Sequence, residues 1–167
     1  VVLAAGAWTR QFGQELGLNL HTVPVRHQAF DTGPIADVSP MQPIVRITEP
    51  QIYVRHEAGG LLVGGYGYRP LSFDMNDFDR KFEISALEAD QIYYRRLRDA
   101  TTVFFPALAD ATIVRERRGL PTESPDGRLV LSEPSGLRGL VVLSACQSGL
   151  GRFSGGEGYL GFAQALL

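Results

Sequence analysis

The stretch IYVRHEAGGLLVGGYGYRP, residues 52–70, decides the architecture. Ile52 to Arg55 and Leu61 to Gly65 are strand-length runs, and Glu57-Ala58-Gly59-Gly60 between them is turn chemistry. A third run, Ile44 to Thr48, ends in the separator Thr48-Glu49-Pro50 just before Ile52. Hairpin-length spacing of this kind predicts an antiparallel meander from Ile44 to Gly65. Upstream, Val23 to Phe30 alternates apolar and polar residues imperfectly and supplies a further strand.

Beyond the meander, Ser85-Ala86-Leu87-Glu88 matches a capping box and predicts a helix reaching about Ala100, with Leu87, Tyr94 and Leu97 on one stripe. Asp90 early and Arg95, Arg96 and Arg98 late complement the helix dipole, which accounts for the basic run without a nucleic-acid patch. Pro106 closes the helical region. Ala111 to Gly119, Leu129 to Leu131 and Leu140 to Leu143 read as strands, and Gly156 to Leu167 as a terminal helix. At the other end, Val1 to Ala5 is a continuous apolar run bounded by Gly6, as expected of a strand covered on both faces in a parallel sheet. Trp8 to Leu16 suits a short helix. The expected fold class is mixed α+β and α/β: an antiparallel-sheet domain with flanking helices, plus strand and helix pieces of a split Rossmann-like domain.

The 167 residues are 44% hydrophobic and 20% charged, enough to bury a core and far from the polarity of a disordered chain. A net charge of -2 gives no general attraction to nucleic acid or an anionic membrane. Lys81 is the sole lysine, and arginine supplies the other cations. Cys146 stands alone, so no internal disulfide can form, and no metal-ligand spacing is present. No apolar run approaches the ~20 residues of a membrane span, and the expected compartment is cytoplasmic. The chain starts without an initiator methionine, and its two ends read as two parts of one cofactor site, so a fragment of a longer protein is expected.

At the C-terminal end, the strand from Leu140, a loop rich in serine and glycine, and a helix from Gly156 would place backbone amides against an electron-rich ligand edge. Gly149-Leu150-Gly151 resembles the start of a dinucleotide fingerprint, with Ser154 in the third glycine place. A plain strand-to-helix turn is the alternative.

Taken in order, VVLAAGAW (1–8), PVRHQ (24–28), the 52–70 stretch, FPALAD (105–110), RRGLPTESPDG (117–127) and the closing ACQSGLGRFSGGEG resemble the flavin-dependent amine oxidoreductases of the D-amino acid oxidase superfamily. Within it, the sarcosine and dimethylglycine dehydrogenase or oxidase group is the most similar. The resemblance implies FAD as cofactor, hydride transfer from an N-methyl amino acid to flavin N5, and a small-molecule amine as partner. It also implies that an FAD-binding portion precedes Val1. It divides the chain into an FAD-domain return strand and helix (1–21), a substrate domain (22–115) and an FAD-domain closing segment (116–167).

Carried over residue by residue, the resemblance assigns His27 and Tyr53 as catalytic. A histidine titrating near ~6.5 can accept or share the amine proton, and a tyrosine hydroxyl can orient the amine or carboxylate. Arg55 lies two residues beyond Tyr53, on the same face of a strand, where it can pair with a substrate carboxylate. Ala5 and Gly6, and at the other end Ser148, Gly149, Leu150 and Gly151, are the expected cofactor contacts. Tyr66 and Tyr68 are read as sheet packing, Cys146 as a small packed residue, and Asp126 as a structural turn residue. Two other readings compete: oxidation of another small amine such as glycine or a D-amino acid, and a non-catalytic remnant or interaction module.

Overall fold

The computed structural model describes residues 1–66, 70–79 and 81–144, together with the backbone of 152–154 and 158–160. In chain order the elements are β1 (Val2–Leu3), α1 (Thr9–Glu15), β2 (Val23–Pro24), β3 (His27–Thr32), β4 (Val45–Ile47), β5 (Ile52–Glu57) and β6 (Gly60–Gly65). They continue with α2 (Gln91–Thr102), β7 (Ile113–Gly119), β8 (Thr122–Glu123), β9 (Val130–Ser132), β10 (Val141–Ser144), β11 (Arg152–Ser154) and β12 (Gly158–Leu160). Short 3-10 turns at Gly6–Trp8, Met75–Asp77, Ile84–Ala86 and Pro106–Leu108 link them. Among the described residues no helix is long and apolar enough to cross a membrane.

The chain forms two compact units. Unit 2, Arg26–Leu71 with Lys81–Gly119, is built on a five-stranded sheet in the order β4-β5-β6-β3-β7. Every neighbouring pair in it is antiparallel, and β4, β5 and β6 form the expected meander. Strand alternation sends Phe30, Ile52, Val54, Leu61 and Val63 to one face, where they pack with Tyr93, Tyr94 and Leu97 of α2 and with Leu108. Burying these side chains supplies the main driving force for this unit, at about 1.5–3 kcal/mol for each large residue.

The start of α2 differs from the capping-box expectation. Asp90 is the N-cap, its carboxylate accepting from the backbone N–H of Ile92 and Tyr93 at 3.0 Å each. Ser85 lies in a separate 3-10 turn, donating to Glu83 at 3.2 Å, and Leu87 precedes the helix. Asp90 prevails because it is also tied to the sheet: Arg26 pairs with its carboxylate at 3.1 Å, and Gln28 accepts from its backbone N–H at 2.8 Å. The helix ends at Thr102, and Pro106 opens the following 3-10 turn.

Unit 1 comprises Val1–Val25, Ser72–Arg80 and Leu120–Leu167. Its sheet runs β1-β10-β9, with β1 and β10 parallel and β10 and β9 antiparallel. The parallel pairing of the opening strand matches its continuous apolar run, but the expected cover on both faces is corrected, Val2 being 62% exposed. Asp126 caps the turn before β9, accepting from Ser124 Oγ at 3.0 Å and from the Arg128 amide at 3.1 Å, with Gly127 at φ 65°. The terminal helix is corrected where the backbone is described: Gly158–Leu160 is a strand paired antiparallel with Arg152–Ser154. Glycine-rich sequence disfavours helix by about 1 kcal/mol per glycine, and Gly155, Gly156, Gly158 and Gly161 crowd this stretch.

Candidate functional site

The face of the unit 2 sheet opposite α2 is where chemistry-bearing side chains gather. The register sets it: Ala29 pairs with Gly64, Gly64 with Tyr53, and Ala29 with Arg117, so their side chains share one face. The HQ dipeptide divides its work across the sheet. His27 rises to this face, whereas Gln28, 1% exposed, turns to the other and fastens the N-terminus of α2.

Three rings form the site's centre. His27 lies parallel to Tyr53, with centroids 5.8 Å apart and 9° between planes. Tyr66 closes the triangle, 4.5 Å from His27 and 5.9 Å from Tyr53. Gly64 permits this arrangement, because a Cβ there would collide with the ring and hydroxyl of Tyr53. The second glycine of the doublet faces α2, where the Tyr93 hydroxyl donates to the Gly65 carbonyl.

Burial governs the electrostatics. It pushes the His27 imidazole from 6.5 down to about 4, so the ring is neutral at physiological pH. Its Nε2 is buried without a hydrogen-bond partner. Burial likewise pushes the Tyr53 phenol up to about 12, reinforced by neighbouring Tyr66 and only partly offset by Arg55 and Arg117. The hydroxyl therefore remains a donor.

Farther along the same face the charges pair. Arg117 grips Asp31 with two nitrogens, Nε at 2.8 Å and Nη2 at 2.7 Å, and also reaches Glu57 at 3.1 Å. Glu57 holds Arg55 through its other oxygen at 2.6 Å. Arg55, 40% exposed, has one charged partner in that pair and donates additionally to the His56 carbonyl.

The structure thus brings His27, Tyr53 and Arg55 onto one face. Tyr66 belongs with them, which corrects its reading as packing: its ring lies against His27 and is 36% exposed, away from the α2 core. Period-two counting from Gly64 was the available signal, since residue 66 shares the face on which Gly64 meets Tyr53.

In unit 1, Ala5 and Gly6 follow β1 directly, Gly6 with φ 55°, a left-handed conformation that favours glycine. Just beyond them Thr9 Oγ1 and Arg10 Nε are buried without partners, as is Ser144 Oγ at the end of β10. Ser148, Gly149, Leu150 and Gly151 lie outside the described residues, as do Tyr68 and Cys146. Among the described residues no group of three or more His, Cys, Asp or Glu side chains can hold a metal ion.

Comparison with known proteins adds lineage to this geometry. The description "FAD dependent oxidoreductase" belongs to the family whose profile matches residues 1–156. Human mitochondrial dimethylglycine dehydrogenase is 30% identical over 150 residues, covering 85% of this chain and 17% of that protein. The formaldehyde-forming 4-methylaminobutanoate oxidase of Paenarthrobacter nicotinovorans is 27% identical over 148 residues, 89% of this chain and 18% of the oxidase. The chain thus spans less than a fifth of these relatives' length. Among solved structures, glycine oxidase from Geobacillus kaustophilus superposes with a TM-score of 0.67 at 24% identity, covering 87% of this chain and 35% of that one, a likeness of fold.

Proposed function

The chain belongs to the FAD dependent oxidoreductase family, and from that premise we propose that the protein oxidises a small N-methyl amino acid of the sarcosine or dimethylglycine type. The observation that carries this reading is the parallel pair of His27 and Tyr53, one neutral and one protonated, on the same sheet face. FAD, when bound, accepts the hydride.

The residues present fit that cofactor. Thr9 Oγ1 and Arg10 Nε in α1 and Ser144 Oγ at the end of β10 are buried and unpartnered, and each would offer a donor suited to phosphate or ribose oxygens. Ala5 and Gly6 would hold the nucleotide half through backbone contacts, and Ser148 to Gly151 the flavin edge. The small share of each relative's length that is matched supports reading the chain as one part of a larger flavoprotein.

Hydride loss requires a free nitrogen lone pair, and an ammonium has none. His27, neutral above about pH 4, can take the ammonium proton at Nε2. Tyr53 donates its hydroxyl to the amine or carboxylate and so orients the methyl group. Arg55 is suited to the carboxylate, because its side chain is 40% exposed and Glu57 keeps its contact with Arg117 when Arg55 turns away.

The test is amine-dependent flavin reduction in the FAD-loaded protein, with sarcosine, dimethylglycine, 4-methylaminobutanoate and glycine compared. His27→Ala and Tyr53→Phe are each expected to slow reduction by about tenfold or more, on the scale of general acid–base catalysis. Unchanged rates would remove both residues from the chemistry, and exclusive use of glycine would move the substrate class to primary amines.

A further inference from the structure

His27 is half-buried, its Nε2 out of solvent, on a sheet face that lacks the α2 core, so something on that face shields the ring. The five-stranded sheet supplies its floor. Tyr53 lies parallel but with its centroid 5.8 Å away, beyond close stacking distance. Tyr66 is nearer, at 4.5 Å. The ladder explains why: Gln28 pairs with Gly65, so one step further His27 stands opposite Tyr66 as a cross-strand neighbour. The backbone of Tyr66 is held in that position by its N–H, which donates to the Gln51 carbonyl at 3.0 Å and extends the β5–β6 ladder by one residue.

We propose that Tyr66 is a positioning residue for the reaction, a ring laid over the imidazole of His27 that fixes its plane parallel to Tyr53 and keeps water from it. The inference rests on the reading of His27 as the imidazole that faces the amine. Tyr66 presents one side to His27 and is 36% exposed overall, as befits a cover rather than a core residue. Its contribution is to the state of His27.

Among the described residues, the other groups facing His27 do not supply that state. From β5 comes Tyr53, a neutral donor. From β7 come Gly119, directly opposite His27, and Arg117, whose charge is engaged by Asp31 and Glu57. Arg26, the preceding residue, is tied to Asp90 and the Glu88 carbonyl. Loss of water contact is what holds the imidazole near 4, and among the described residues the ring nearest to it is Tyr66.

The experiment compares Tyr66→Phe, Tyr66→Ala and the parent in the FAD-loaded protein, selectively 13C-labelled at histidine. The sequence has three histidines, so His27 is assigned by its loss in His27→Gln. In Tyr66→Ala the His27 midpoint is expected to climb from about 4 toward 6.5, while Tyr66→Phe keeps the parent midpoint. The ratio of Tyr66→Ala to parent kcat/KM should accordingly fall on the acid side and recover above about pH 7.5, about one pH unit above an ordinary histidine midpoint. Because substrate-amine titration affects both proteins alike, it cancels in that ratio. An unmoved midpoint in Tyr66→Ala overturns the proposal. So does absence, in the parent, of a nuclear Overhauser contact between the His27 and Tyr66 rings, a measurement independent of whether any variant folds. A moved midpoint with no amine reducing the flavin would uphold the positioning role and refute the proposed function instead.

Discussion

His27 and Gln28 are neighbours in sequence with unrelated tasks, one facing the aromatic triangle and the other fastening a helix. Strand alternation made that split legible, and it also placed Tyr53 and Arg55 together. It did not say which face is the core, and Tyr66 was read as packing for that reason. Burial of a neutral His27 has a cost in acid. The unfolded chain takes up this proton near 6.5 and the folded one near 4, so stability should fall as pH drops from 6.5 and level off below about 4. The loss is of order 3 kcal/mol, visible as the difference between parent and His27→Gln in urea unfolding at stepped pH. Equal pH slopes would show that the imidazole is not buried. Gly64 is the second informative residue. Gly64→Ala forces the Tyr53 ring aside, so a destabilisation of about 1–3 kcal/mol, with slower flavin reduction, is expected from denaturant melts and stopped-flow traces.

At the level of elements, the meander was the clearest message of the sequence, because turn residues and run lengths are local properties. The helix start was harder. Ser85-Ala86-Leu87-Glu88 satisfies the capping-box pattern as well as any segment, but Asp90 has long-range partners in Arg26 and Gln28 that no local pattern displays. Asp90→Ala removes two accepted N–H bonds and the Arg26 pair together, and should lower thermal stability by about 1–2 kcal/mol. Asp90→Asn, which can still cap, should recover part of that. If both variants melt like the parent, the cap is not anchoring α2. The pairing of β11 with β12 also escaped the sequence reading, which took Gly156 to Leu167 as a helix despite the glycines that oppose one.

On the scale of the molecule, the two units are interleaved. The chain changes unit at Val25/Arg26, Leu71/Ser72, Arg80/Lys81 and Gly119/Leu120, and no composition shift in the sequence marks the return of Ser72–Arg80 to unit 1. The described surroundings of β3 and β6 predict the order of local opening within unit 2. Both strands are paired on two sides and carry Phe30 and Val63, at most 1% exposed, so their amides should exchange slowest with deuterium. The edge strand β4, whose Val45 is 37% exposed, should exchange earlier, and peptide-level mass spectrometry can order them. Uniform exchange across the sheet would contradict that ranking.

The same interleaving bears on engineering. Transplanting the five-stranded sheet between relatives cannot be done with one recombined cassette: Arg26–Leu71 and Lys81–Gly119 must travel together while the intervening nine residues stay with the host. A shuffled library broken only at Leu71/Ser72 or only at Arg80/Lys81 would separate β7 from the β3 edge it zips onto and strand Asp31 without its guanidinium clamp. Chimeras spliced at all four junctions are the ones in which this sheet can be exchanged without unmaking the fold.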